Sequence, residues 1–267
     1  MCLIFVGFQS HPQYPLVVAA NRDEFFARES QQAHRWQDGT IAGRDGRAGG
    51  TWLGLRPSAG GFRFAAITNR RAAVAPASPR SRGELTSDFL AGSLSAQDYA
   101  TEIQSRAGDY AGFNLLVSDG NALFYVGSET TKPLQLPPAC YGLSNGVLDE
   151  PWPKLRDGKT RFSQLLQSQA RPSTDALIAL MDERTPAEES QLPSTGLPRD
   201  IERRLSSAFI VNDPNDQALA DYGTLCSTAL LVDSQGGLRF HERNFARDSQ
   251  PSRSHFFSTG PVTAAQK

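Results

Sequence analysis

The residue with the most chemistry to offer is Cys2, at the head of the apolar run CLIFVGF. Once Met1 is removed, this one residue carries both a thiol and a free α-amine. Such an amine has a pKa of about 7.7–8.0, near enough to neutrality to serve as a general base. The competing reading is a buried strand cysteine, because cysteine is among the most buried residue types. A second dense group, Asn21, Arg22, Asp23 and Glu24, follows directly on the apolar stretch PLVVAA. It reads either as a site built on a strand end or as a solvated turn whose ion pairs are worth little. If a strand beginning at Cys2 runs antiparallel to one ending near Asn21, joined through QSHPQY, the register sets Cys2 beside Asn21–Asp23. Asp23 is then expected to hydrogen-bond the α-amine. Arg22 is expected to lower the thiol pKa through its charge.

Two asparagines close apolar runs elsewhere, Asn69 in FAAITN and Asn145 in YGLSN. An amide there can donate to a developing oxyanion, although asparagine is also a common turn residue. The glycine-rich stretch GRDGRAGG lacks the GK[ST] ending of a phosphate loop. It is expected to be a turn that approaches Trp52, itself a core residue or a pocket wall. His11, His34, His241 and His255 show no metal-ligand spacing, so no metal site is expected. There is no CxxCH and no G-x-S-x-G.

The elements that must position these groups follow from the pattern of the chain. Of 267 residues, 39% are hydrophobic and 21% charged, as in an ordinary globular domain. A net charge of −1 gives no field that would steer nucleic acid or an anionic membrane to the protein. The opening apolar run is too short for a signal peptide or a membrane span. Three widely spaced cysteines argue against a disulfide framework and for a reduced, cytoplasmic setting. Short runs bounded by Gly, Pro or polar residues predict strands at CLIFVGF, PLVVAAN, FRFAAITN, GFNLLVS, ALFYVG, ACYGLSNG, SAFIVN, CSTALLVD and GLRFHER. Asp119-Gly120 and DSQGG mark hairpin turns. Ser81–Glu84 has capping-box spacing before a helix, and Ser95 starts another. Further helices are expected near 161–169 and 174–182, and an irregular connection over 185–200. Runs of strands alternating with runs of helices predict an α+β protein with antiparallel sheets and outer helices. One domain is expected over 1–259, with a flexible tail at 260–267.

The stretches MCLIFVGF, AANRDEFFARE, GGTWLG, ITNRR, RSRGELT, GFNLLVSD, YGLSNGVLDEPWPK and YGTLCSTALLVD resemble the NRDE family, also called the transport and Golgi organization protein 2 family. That pattern is in turn similar to the N-terminal-nucleophile hydrolases of the cholylglycine hydrolase and penicillin V acylase kind. The resemblance implies a four-layer αββα sandwich. It implies Cys2 as nucleophile, Asp23 as its carboxylate, and Asn69 and Asn145 as oxyanion-hole residues. Two positions depart from the pattern, Ala20 and Leu225, where the related families carry arginines. Strand parity is expected to turn Arg22 away from either role. The family resemblance implies haem trafficking. Haem would then be a transported ligand, no resident cofactor would be required, and Arg22, Arg70 and Arg71 would be able to pair with propionates. Phe25, Phe26 and Trp52 would be apolar walls, with Asn21 and Glu24 completing the ligand site. The alternative is a cysteine-nucleophile amidohydrolase acting on a small non-peptide amide.

Overall fold

Continuous apolar runs, as opposed to alternating ones, belong to strands covered on both faces. The first strand is of this kind: every residue of β1 (Cys2–Phe8) is buried. So are the first six residues of β2 (Leu16–Phe25). The computed structural model describes residues 2–59, 61–71, 79–216 and 218–260. After β2 come β3 (Ser30–Arg35), β4 (Ile41–Asp45), β5 (Leu53–Ser58) and β6 (Gly61–Asn69). The helices α1 (Arg82–Ala91) and α2 (Ala96–Ser105) follow, then β7 (Phe113–Ser118), β8 (Leu123–Gly127), β9 (Leu134–Leu136) and β10 (Ala139–Leu143). A second helical group, α3 (Pro153–Ser168), α4 (Thr174–Leu180) and α5 (Arg199–Arg204), precedes β11 (Tyr222–Val232), β12 (Leu238–Phe245) and β13 (Pro251–Thr259).

The strands form two antiparallel sheets. One has the order β10-β1-β2-β11-β12-β13, the other β3-β4-β5-β6-β7-β8-β9. Ile4, Val6, Val18, Ala20, Leu230 and Phe240 of the first sheet meet Leu55, Phe64, Ala66 and Leu116 of the second in a common core. The opposite face of the second sheet packs on α1 and α2 through Ala65, Leu115, Phe89 and Ile103. The opposite face of the first packs on α3 and α4 through Leu3, Phe5, Ala19, Phe162 and Ile178. The layers are therefore αββα, as the resemblance implied.

Several local expectations meet a different outcome. SAFIVN is buried over Ser207–Ile210, exposed at Val211, and is not a strand. Phe209 N–H donates to Glu183 O at 2.8 Å and Ile210 N–H to Thr224 Oγ1 at 2.8 Å, so its backbone groups are satisfied one at a time outside any ladder. Ser81 sits at the start of α1 but makes no side-chain cap. The Glu84 carboxylate that a capping box needs is taken by Tyr110 (2.7 Å) and Arg80 (2.6 Å). Ser95, in contrast, caps α2 by accepting from Asp98 N–H at 3.0 Å. The third helix begins at Pro153, well before the expected 161, because proline suits a first helical turn. Of the expected tail, residues 261–267 lie outside the described residues.

Candidate functional site

The backbone register places Cys2 opposite Arg22, and Arg22 opposite Cys226 on its other side. Cys226 is in turn opposite Asn244. One transverse row, Cys2–Arg22–Cys226–Asn244, thus crosses four neighbouring strands. Its side chains face the second sheet, because Ile4 and Ala20, two residues along from Cys2 and Arg22, lie in the inter-sheet core. This row is the floor of a cleft of about 380 Å³ at one end of that core. Gln31 of β3, Gly43 and Asp45 of β4, Trp52, Asn69 at the end of β6, and Ser81–Gly83 at the start of α1 form the other walls. Adjacent strands are about 4.8 Å apart, so Cys2 and Cys226 stand roughly 10 Å apart, beyond disulfide reach. All three cysteines are free.

The strand parity of Arg22 was misjudged from the sequence. Arg22 is two residues from Ala20 and shares its face, so its side chain lies in the cleft beside Cys2. It reaches Glu24 only at 4.0 Å. Its effect on the thiol also differs from expectation. Burial pushes the Cys2 thiol up, Asp23 and Glu24 add to that, and the opposing charge of Arg22 does not reverse it. Burial also raises the second thiol, Cys226, well above its ordinary value.

Asp23 lies on the other face of β2. It is 1% exposed and accepts from Thr224 Oγ1 at 2.8 Å. The register slips between Thr224 and Cys226. That bulge at Leu225 lets Thr224 follow Asp23 on the helix side while Cys226 follows Arg22 in the cleft. Burial raises the Asp23 carboxyl, and Lys154 is the strongest opposing influence.

Asn69, at the end of β6, is exposed and lines the cleft. Asn145 is 1% exposed and lies behind it: its Nδ2 donates to Asn69 O at 2.8 Å. Ser144 Oγ donates to Cys2 O at 3.1 Å, which pins this segment to the first strand. Asn114 Nδ2 donates to Thr68 Oγ1 (3.1 Å) and Gly146 O (2.9 Å), and Tyr125 OH donates to Asn114 Oδ1 (2.8 Å). These buried polar contacts hold the 144–146 segment, tying both sheets together at the cleft.

Five expected ligand residues are placed elsewhere. Asn21 is fully buried on the helix face, donating to Met181 O (2.9 Å) and Ala208 O (2.8 Å) and accepting from Ser227 Oγ (2.6 Å). Arg70 pairs with Glu129 (2.8 Å) and Glu150 (3.7 Å), outside the cleft lining. Arg71 pairs with Glu202 at 2.8 Å and lies over the Trp152 ring. Phe25 packs edge-on against Tyr222 and is also outside the lining, as is Phe26. Trp52 does line the cleft, touching both the inter-sheet core and the core under α1 and α2. Glu24 lines it too, 3.8 Å from Arg28.

The sequence reading missed other lining residues: Arg28, Arg44, Arg80, Arg82, Cys226, Glu242 and Asn244. Only the last three had a legible signal, their place on two closing strands, β11 and β12, whose mutual register follows from the hairpin at Asp233–Gly237. Arg28 is bound to Asp45 at 2.7 Å. Burial raises the Glu242 carboxyl, which accepts from Ala33 N–H at 2.7 Å. Five arginines, Arg22, Arg28, Arg44, Arg80 and Arg82, thus line the cleft beside Glu24, Asp45 and Glu242; Arg28 is paired with Asp45, and Arg80 with Glu84 at 2.6 Å. The cleft gathers arginines although the chain as a whole carries −1.

An αββα sandwich with a cysteine-floored cleft between its sheets is the class that fold and site define. The chain belongs to the Transport and Golgi organisation 2 family, whose sequence model matches residues 1–247. It is 35% identical over 274 residues to the Transport and Golgi organization protein 2 homolog of Bos taurus, covering 95% of this chain and 96% of that protein. To the homolog of Homo sapiens it is 36% identical over 266 residues, covering 91% and 93%. To Transport and Golgi organization protein 2 of Drosophila melanogaster it is 28% identical over 265 residues, covering 91% of each. Among solved structures it is similar to Anbu (ancestral beta-subunit) from Yersinia bercovieri, with a TM-score of 0.37, 10% identity, and coverage of 96% of this chain and 86% of that one. Among the described residues, no helix is long and apolar enough to cross a membrane.

Proposed function

We propose that the cleft is the active site of a cysteine-nucleophile amidohydrolase whose substrate is a small non-peptide amide bearing an anionic group. The observation that carries this reading is the convergence of Cys2, Asn69 and an arginine-rich lining in one cleft, with Asp23 on the strand beside Cys2. Removal of Met1 would give Cys2 a free α-amine. That amine takes the thiol proton as Sγ adds to the amide carbon. Asn69 donates to the oxyanion, held in place by Asn145 behind it. The C–N bond then breaks, the amine returns the proton to the leaving nitrogen, and a thioester remains. Water adds to the thioester carbon, the S–C bond breaks, and the acid leaves with the thiol restored. The test is hydrolysis of a panel of N-acyl amino acids and other acidic amides, followed by mass detection of an acyl adduct on Cys2. Turnover that disappears in Cys2→Ala supports the reading. No turnover of any acidic amide by protein with a free Cys2 amine contradicts it.

A second reading, haem trafficking, is favoured by the same arginines, since guanidinium groups pair well with propionates. Haem would here be cargo, held weakly and handed on. Among the described lining residues there is no histidine, methionine or tyrosine, so Cys2 and Cys226 would be the sulfur ligands within reach of an iron. A haem titration of purified protein reads this directly. A saturable spectral change, weakened in Arg22→Ala by about 1–3 kcal/mol, supports it. A change that is neither saturable nor variant-dependent contradicts it. Three free cysteines support a reducing, cytoplasmic location for either activity.

A further inference from the structure

Arg82 lines the cleft from the start of α1, beside the end of β6 that carries Asn69. Its Nη1 donates to Gly112 O at 3.1 Å. The same oxygen accepts from Arg70 N–H at 2.8 Å. Two hydrogen bonds on one carbonyl thus hold the Arg82 guanidinium at the end of β6, next to Asn69. That end is tied to the strand of Cys2 in turn: Asn145 Nδ2 donates to Asn69 O at 2.8 Å, and Ser144 Oγ to Cys2 O at 3.1 Å. The other cleft arginines are engaged or lie farther out. Arg28 pairs with Asp45 at 2.7 Å and Arg80 with Glu84 at 2.6 Å. Arg44 is exposed on β4, donates from Nε to Gly49 O at 2.8 Å and lies over the Trp36 ring. Arg22, on the floor, has Glu24 at 4.0 Å.

Among the described residues, the hydrogen-bond partner of Arg82 is a neutral carbonyl and no carboxylate stands within ion-pair distance of it. A guanidinium has five N–H donors, so the bond to Gly112 leaves others for a ligand. The side chain is half-buried. Burial pulls the guanidinium down from its ordinary value, Arg28 adds to that, and Cys2 and Glu24 oppose it. A cation that has lost part of its hydration and has no counter-ion at hand gains from an anion brought to it. We propose that Arg82 is the specificity-determining residue of the cleft: its guanidinium pairs with a carboxylate that the substrate carries close beside the amide bond polarised by Asn69. The place beside the amide rests on the amidohydrolase reading, but the pairing with a carboxylate does not. A carboxylate on a long arm would be carried past Arg82 toward the outer arginines, which already have partners.

The test is calorimetric titration of Cys2→Ala protein, which lacks the nucleophile, with three aryl amides. Trp52 and Ile67 give the aryl group an apolar wall. Hippurate bears its carboxylate on the carbon next to the amide nitrogen, hippuramide is its neutral counterpart, and γ-benzamidobutyrate carries the carboxylate farther out. Hippurate should bind about 10-fold to 100-fold tighter than hippuramide, the worth of one charge-assisted hydrogen bond, and tighter than γ-benzamidobutyrate. Adding Arg82→Gln should remove most of that preference. Arg82→Lys should keep part of it, as a point charge without the fork. Equal affinity for hippurate and hippuramide, a preference for the longer acid, or a preference that survives Arg82→Gln overturns the proposal. If Arg82→Gln does not fold, the Arg82 Nε–H resonance, assigned with Arg82→Lys, should shift with hippurate and not with hippuramide. Absence of that shift equally overturns it. Every arm reads binding in protein without its nucleophile, so a chain with no hydrolase activity can pass the test and an active hydrolase can fail it.

Discussion

Arg22 stands between Cys2 and Cys226, opposite both on the middle of three adjacent strands. The arrangement puts a permanent cation at the centre of a floor whose two thiols are held neutral by burial. The guanidinium is thus available to a ligand more than to a thiolate. Replacing it should weaken ligand binding before it alters the nucleophile. In Arg22→Ala, KM for an acidic amide should rise by about 10-fold to 100-fold, the worth of one charge-assisted hydrogen bond. Steady-state kinetics checks this, and an effect confined to kcat would contradict it.

Asn69 and Asn145 should separate in their effects. Asn69 is exposed at the cleft, so Asn69→Ala should leave stability within about 0.5 kcal/mol. It should lower kcat by about 10²–10³, the usual cost of one oxyanion donor. Asn145 is buried and supports the Asn69 backbone, so Asn145→Ala should cost about 1–3 kcal/mol of stability as well. Urea denaturation alongside kinetics distinguishes the two.

Gly50 fixes the cleft rim. A Cβ there would stand 2.4 Å from the Gly83 carbonyl carbon, backbone against backbone. Thr51 N–H donates to Gly83 O across the same approach at 3.2 Å. Gly50→Ala must therefore move the start of α1, with Ser81 and Arg82, away from the cleft. A loss of about 1–3 kcal/mol is expected on chemical denaturation, as for other overpacked sites.

His241 should impose a pH dependence on stability. Its ring is fully buried, stacked on Phe256 at 3.9 Å. Neither ring nitrogen has a hydrogen-bond partner among the described residues. Burial pulls it down to about 4 from 6.5, with Asp175 opposing and Arg243 reinforcing. Between those pH values the unfolded chain binds a proton that the native state lacks, so stability rises with pH through the window and falls on acidification. His241→Phe keeps the stacking and removes that titration. Its stability relative to wild type should grow as pH drops from about 6.5 to about 4, and a constant difference would contradict the assignment.

The β1–β2 register and the layered α+β order were legible because the apolar runs CLIFVGF and PLVVAA have few ways to pair once both faces are covered. The hairpins at Asp119-Gly120 and Asp233–Gly237 were legible from turn chemistry, and Gly120 and Gly236 do take positive φ. β13 was not, because its residues are mostly exposed and carry no apolar run. SAFIVN was misread because burial alone imitates a strand when side chains such as Thr224 satisfy the backbone. At the site, Cys2, Asp23 and Asn69 stood out by type and position. Arg28 and Arg82 did not, since their place in the cleft arises only when a loop and a helix start fold over the sheet ends. Arg70 was misassigned for a related reason: Glu129 and Glu150, distant in sequence, reach it first.

The central claim is that Cys2 acts with its own α-amine, so the state of the chain's first residues decides it. The measurement is the intact mass and N-terminal peptide of protein made without an added tag at that end. The account predicts a mass lacking Met1, with a free amine on Cys2 and loss of hydrolysis when that amine is acylated. Native, folded protein that retains Met1 and still cleaves an acidic amide would contradict it.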